Sequence, residues 1–177
     1  MPVLRDATSL LLIIDLQARL MPAIADAADV IANARRLRDA AALLGVPVVF
    51  TEQNPNGLGP TIADLPPGDA PVITKMTFDA VRTPGFLGAV PPRADVIVAG
   101  CEAHVCVLQT VLGLLAAGRR VFVVRDAIGA RRAESKEAAL HRMARHGAEI
   151  VTTEMAVFEW LGTAEHARFR AAMALIK

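Results

Sequence analysis

A three-layer α/β/α sandwich, Rossmann-like, with a six-stranded and mainly parallel sheet is the fold this chain predicts. Three observations carry that reading. The strand-like runs are mostly continuous apolar segments rather than alternating ones, as strands covered on both faces require. Helical patterns between them close on glycine: Ala28 to Leu44 on Gly45, Val105 to Ala117 on Gly118, and Glu134 to His146 on Gly147. Glycine supplies the left-handed residue that ends a helix, and the next strand starts almost at once. Repeated units of strand, helix, glycine and strand imply parallel pairing through right-handed crossovers.

In chain order, the first strand is expected over Ser9 to Ile14 (SLLLII), stopped by Asp15. After the first helix, Pro47 to Thr51 (PVVFT) and Val72 to Thr74 (VIT) supply two more. Asp95 to Ala99 (DVIVA) feeds the second helix, Arg120 to Val124 (RVFVV) the third, and Ala148 to Thr152 (AEIVT) follows Gly147. Two stretches break the rhythm. Glu52 to Asp69 is rich in Pro, Gly and Asn, and Thr77 to Arg93 holds Pro84, Gly85, Gly88, Pro91 and Pro92. Loops this long inside a compact domain are usually binding loops or subunit contacts. The sequence shows no internal repeat and no low-complexity tract.

A length of 177 residues and a hydrophobic fraction of 54% suit one domain over residues 1–177 with a core on both sheet faces. The formal net charge is +1, from 19 basic and 18 acidic side chains spread along the chain, which argues against a nucleic-acid partner. The one dense basic cluster, Arg125 to Arg132, reads as a solvated loop and helix entry. The two cysteines, Cys101 and Cys106, are poorly placed for a bridge, which points to a reducing compartment, and the cytoplasm is expected. Met1 to Thr8 has no apolar signal core, and no apolar run approaches the roughly twenty residues of a membrane helix, so a soluble, unprocessed protein without a membrane partner is expected.

Residues just past the carboxyl ends of the strands of an open α/β sheet converge on one edge, where ligands bind. Here that edge gathers Asp15, Lys75 and Cys106. A thiol of ordinary pKa is mostly protonated at neutral pH, and a place over the first turn of a helix favours the thiolate. Asp15 could take the thiol proton, the Lys75 ammonium could hold Asp15 and offset the thiolate charge, and N–H groups at the helix start could bind an oxyanion. Each residue also has a plainer reading: Asp15 as a turn cap, Lys75 as a surface lysine, Cys106 as a small buried hydrophobe. Cys101, in the sheet edge itself, reads as packing. Gln17, Glu102 and His104 are polar residues near the pocket, each of which could simply cap a turn or helix. The four histidines show no ligand spacing, so neither a metal nor a cofactor is expected.

The order and surroundings of IIDLQ, TKMTFDA and VIVAGCEAHVCVLQT resemble the isochorismatase-like cysteine hydrolase superfamily, over almost the whole chain. That resemblance implies a catalytic triad of Asp15, Lys75 and Cys106. It further implies a cis peptide at Cys101–Glu102 and an oxyanion hole from the backbone N–H groups of Glu102 and Cys106. Glu102, Ala103 and His104 stand where many members read a Thr-Asp pair. Together with TEQNPNGLG (Thr51 to Gly59), that is similar to the isochorismatase domain-containing branch. The Asp-x-His-x-His metal set of nicotinamidases is missing, since the stretch reads Thr51, Glu52, Gln53, Asn54. True isochorismatases cleave a vinyl ether without needing the cysteine, so the retained thiol favours acyl chemistry.

The expected function is therefore a cysteine-dependent amidohydrolase acting on a small amide, carbamoyl or related carbonyl compound through a thioester. Gln17, Phe78 and His104 are expected to bind substrate, with Phe78 and Phe86 as candidate walls. The alternatives are a non-catalytic oligomeric scaffold of the same fold and a thiol-independent vinyl-ether hydrolase. A homo-oligomer is expected, because Thr77 to Arg93 and the tail Glu165 to Lys177 offer apolar surface that a monomer would have difficulty covering.

Overall fold

A run of six residues buried at every position can only be a central strand, and Ser9–Ile14 (β1) is one. The computed structural model describes residues 3–91 and 94–176. Expectations that fall on Met1, Pro2, Pro92, Arg93 and Lys177 lie outside the described residues. After β1 come α1 (Ala27–Leu44), β2 (Val48–Gln53), a short α2 (Pro55–Leu58), β3 (Val72–Lys75), a short α3 (Phe86–Ala89) and β4 (Asp95–Cys101). A π-helical turn, Ala103–Val107, then leads into α4 (Leu108–Ala116), followed by β5 (Arg120–Gly129), α5 (Ala133–Arg145), β6 (Glu149–Val151), α6 (Thr153–Leu161) and α7 (Phe169–Ile176). The strands form one sheet in the order β3-β2-β1-β4-β5-β6, and every pairing is parallel.

Alternation along β1 divides its side chains between two cores, which makes the three layers. Leu11 and Ile13 join Ile97, Phe122 and the α1 residues Ala34 and Leu37 on one face. Leu10, Leu12 and Ile14 join Val96, Val98, Val123 and the α4 residues Val111 and Leu114 on the other. The three expected helices form within one or two residues of their expected ends, except that the second opens as a π turn. The sheet's pivot is tight. Gly100 pairs with Ile14 at φ 129, and a Cβ built there would lie 2.0 Å from the Ile14 carbonyl oxygen.

Several expectations need correction. β5 runs on to Gly129 rather than ending at Val124, because the ladder with β4 shifts register between Val98 and Gly100 and then resumes from Ile128 beside Gly100. The charged pair Arg125 and Asp126 masked this in the sequence, yet both are partnered: Arg125 with Glu137 at 3.5 Å, and Asp126 with the Thr153 backbone N–H at 2.9 Å. The tail is not a bare apolar stripe. Its helix α7 lies against α1 and α6, with Ala172 fully buried. The Pro/Gly-rich segment after β3 likewise buries Ala80 and Phe86, so Phe86 is a core residue and not a pocket wall. Among the described residues, no helix is long and apolar enough to cross a membrane.

Candidate active site

The strand order reverses direction between β1 and β4, and crevices at such switch points take ligands. Asp15 stands at the carboxyl end of β1, and Cys106 on the turn that follows β4. Asp15 leaves the strand at φ 50, a left-handed conformation that Asp tolerates better than most residues, while its N–H still donates to the Thr51 carbonyl at 3.1 Å. Lys75 closes β3 and reaches back across β2. Its ammonium donates to Asp15 Oδ2 at 2.7 Å, and both side chains are fully buried. Further bonds run from Lys75 Nζ to the carbonyl oxygens of Thr77 at 3.2 Å and Phe78 at 3.4 Å. The Thr51 hydroxyl donates to Asp15 Oδ1 at 2.6 Å. Thr51 had no role beside Asp15 in the sequence reading, although its place as the polar end of an apolar run was a usable signal.

Cys106 is 7% exposed and adjoins this pair, with both the Asp15 carboxylate and the Lys75 ammonium acting on its thiol. Burial, reinforced by the Asp15 charge, pushes its pKa up to about 12, and the Lys75 charge only partly opposes this. Burial thus works against the thiolate that the helix start was expected to favour. A base beside it is then a chemical requirement. Cys101 is also pushed up to about 12, chiefly by burial, and has no exposed surface. Both cysteines are free. Alkylation of Cys106 by iodoacetamide should therefore be slow at pH 7 and quicken about tenfold per pH unit toward pH 10, ahead of Cys101. Peptide mass analysis over that range would read it, and a rate independent of pH would show a thiolate already present.

Above the thiol lies a cleft of about 490 Å³ walled by Leu20, Leu58, Val105 and Phe78, with Gln53, Glu102 and Arg131 supplying its polar lining. Phe78 is held at this edge because Thr110 on α4 fastens its segment, accepting from the Ala80 N–H at 3.0 Å and donating to the Phe78 carbonyl at 3.4 Å. The Cys101–Glu102 peptide is cis, as the resemblance implied. The Glu102 carboxylate accepts from Arg131 Nε and from the Arg131 backbone N–H, both at 3.0 Å. Arg131 is thus part of the cleft, not merely the solvated loop read from the sequence.

Gln17 does not face the cleft. Its amide donates to the carbonyl oxygens of Gln53 at 3.0 Å and Gly59 at 2.6 Å and accepts from the Gln53 N–H at 2.9 Å, so it fastens the loop after β2. His104 lies on the same turn as Cys106 but lines a neighbouring cleft with Arg131, Arg132 and Ser135. Among the described residues, no group of three or more His, Cys, Asp or Glu side chains is placed to hold a metal ion.

The isochorismatase domain model matches residues 9–155, which span both strand ends and the π turn described above. The chain belongs to the isochorismatase family. Within it, isochorismatase domain-containing protein 1 of Danio rerio is 35% identical over 177 residues, covering 98% of this chain and 62% of that relative. The chain thus spans about three-fifths of the length of that curated relative. Isochorismatase domain-containing protein 2 of Xenopus laevis is 34% identical, covering 98% of this chain and 85% of that protein. Among solved structures, the MAR1 ribonuclease of Caenorhabditis elegans matches with a TM-score of 0.93 and 34% identity over 98% of this chain and 92% of that one. The Escherichia coli YcaC gene product, described as an octameric hydrolase of unknown specificity, matches with a TM-score of 0.91 and 27% identity over 98% and 88%.

Proposed function

We propose that the chain is a cysteine-dependent hydrolase of a small amide, carbamoyl or related carbonyl compound, cleaving C–N bonds other than peptide bonds through a thioester at Cys106. The observation that carries this reading is a buried carboxylate–ammonium pair set against the thiol of Cys106 below a cleft of about 490 Å³. That volume suits a small molecule rather than a polynucleotide. Asp15 takes the thiol proton as Sγ attacks the carbonyl carbon. The electron pair moves to oxygen, where the N–H groups of Glu102 and Cys106 stabilise it. The C–N bond then breaks, Asp15 passes the proton to the departing amine, and the thioester remains. Water attacks the thioester carbon as Asp15 takes its proton, the C–S bond then breaks to release the carboxylic acid, and Asp15 returns the proton to sulfur, which restores the carboxylate and the thiol. Lys75 keeps Asp15 oriented throughout and offsets the charge of the passing thiolate.

Ammonia release from a panel of small amides and N-carbamoyl compounds tests this reading. Asp15→Asn and Lys75→Met should each slow acylation by roughly hundredfold to ten-thousandfold, the range attributed to positioned acid–base groups. Breaking a buried pair by removing one partner also costs about 3–5 kcal/mol, so thermal melts of each variant must accompany the rates. Near-normal rates in a folded variant would make that residue structural.

Assembly belongs to the same reading. The Escherichia coli relative is octameric. Here Met76 is 70% exposed and Phe78 48% exposed on the segment that edges the cleft. A neighbouring copy covering them would help to close the pocket over Cys106 and keep water out until substrate is seated.

A further inference from the structure

The Asp15 carboxylate is fully buried, and groups from three different elements bond to it: Lys75 at the end of β3, Cys106 on the π-helical turn, and Thr51 on β2. Two of these take part in the proposed reaction. Thr51 does not, since it is 1% exposed and does not line the cleft. Its hydroxyl nevertheless donates to Asp15 Oδ1 at 2.6 Å, while Lys75 holds Oδ2 at 2.7 Å. The Thr51 carbonyl also accepts from the Asp15 N–H at 3.1 Å, so one residue grips both the backbone and the carboxylate of a residue that sits at φ 50. Lys75 is fixed by other means, because its ammonium also bonds to the carbonyl oxygens of Thr77 and Phe78. Nothing in the packing of β2 asks for a hydroxyl here. Thr51 follows Val49 and Phe50 in the buried part of the strand, where valine has the same shape and no polar group to bury.

We propose that Thr51 is a positioning residue for the Asp15 base. The proposal rests on the reading of Asp15 as the group that takes the thiol proton. A carboxylate held by Lys75 through Oδ2 alone can turn about its Cβ–Cγ bond, and the lone pair that must meet the thiol proton turns with it. The hydroxyl pins Oδ1 and stops that rotation. Thr51 is itself a stiff support, because its branched Cβ restricts χ1. Proton transfer is sensitive to small displacements of the reacting groups, so the hydroxyl acts on the rate of the chemical step. Substrate affinity is set elsewhere, by the side chains that line the cleft.

The test is steady-state kinetics of Thr51→Val and Thr51→Ser on an amide that the wild-type protein hydrolyses. Valine fills the space of threonine, so water cannot replace the lost hydroxyl. Thr51→Val should lower kcat by about tenfold to hundredfold and leave KM within about twofold of wild type. Thr51→Ser keeps the oxygen on a looser side chain and should restore kcat to within about threefold. Thr153→Val removes another buried hydroxyl, one that donates to Asp126 at 3.1 Å away from the site, and should leave both constants as they were. A normal kcat in Thr51→Val, a loss carried by KM, a loss as deep in Thr51→Ser, or an equal loss in Thr153→Val overturns the proposal. Where Thr51→Val does not fold, Thr51→Ala is read by the same criteria. If no amide or carbamoyl compound is turned over by the wild-type protein, the thioester reading fails and a crystal structure of Thr51→Val decides Thr51 separately. An Asp15 carboxylate turned away from Cys106 upholds its role, and one left in place sinks it.

Discussion

Cys106→Ala should abolish the proposed amide hydrolysis, with turnover falling by about ten-thousandfold or more, because in that reading the sulfur carries the acyl intermediate. The fold survives the change. The lost sulfur occupies a site only 7% exposed, but its removal is comparable to deleting one buried methylene, about 1 kcal/mol. A melt close to wild type together with lost turnover is the expected pair of results. Cys101→Ala serves as the control, since that thiol is packed against Gly129 with no exposed surface, and this variant should retain turnover. Hydrolysis that persists in Cys106→Ala would remove the thioester and favour a vinyl-ether type of reaction at the same edge of the sheet.

Gly100→Ala acts on the fold rather than on the chemistry. At φ 129 an L side chain is already strained, and the new Cβ would lie 2.0 Å from the Ile14 carbonyl oxygen and 2.7 Å from the Ile14 carbonyl carbon and amide nitrogen. Those are backbone atoms of the central β1–β4 ladder, so relief requires breaking pairs in the middle of the sheet. The expected cost is at least about 4 kcal/mol, in the range where single changes become exceptional. For a domain of this size that lowers the melting temperature by about 10 °C or more, or prevents folding. Gly118→Ala provides the contrast: φ is 73, but nothing lies within 4 Å of the added Cβ, so only the backbone strain of about 1 kcal/mol is felt. Denaturation curves of the two variants should differ plainly. Similar midpoints would mean that the pivot can move apart at little cost.

The parts of the fold legible in the sequence were those in which one physical signal dominated. SLLLII has no polar residue to dispute a buried strand beyond its first serine, and β1 spans the expected residues. Helices closing on Gly45, Gly118 and Gly147 were marked by their stop signal. β5 was read short because Arg125 and Asp126 look like a loop until Glu137 and Thr153 are brought beside them, and that is tertiary information. α6 was within reach: Thr152 caps it by accepting from the Met155 N–H at 3.2 Å, and Gly162 ends it at φ 66.

In the site, Asp15, Lys75 and Cys106 were legible because each ends an apolar run or follows one, and they do converge. The plain reading of Lys75 as a surface residue fails against its complete burial. Recognition residues were harder. Gln17 looked available until two carbonyl oxygens and an N–H took its amide, and Arg131 looked solvated until Glu102 met it. Such partners lie far apart along the chain, and no local pattern announces them.

Asp15 and Lys75 are anchored by strand ends and a ladder that cannot shift, whereas Phe78, Leu58 and Arg131 stand on the connections above them. In the proposed reaction, that division separates the groups that move protons from those that meet the rest of the substrate. Shortening the α2 connection or rewriting the turn between β5 and α5 should then change which substrate is accepted while leaving the proposed proton chemistry in place. The same scaffold can therefore diversify by loop exchange, much as a tool holder accepts new bits, and a library confined to residues 54–62 and 130–135 is the economical place to search for altered substrates.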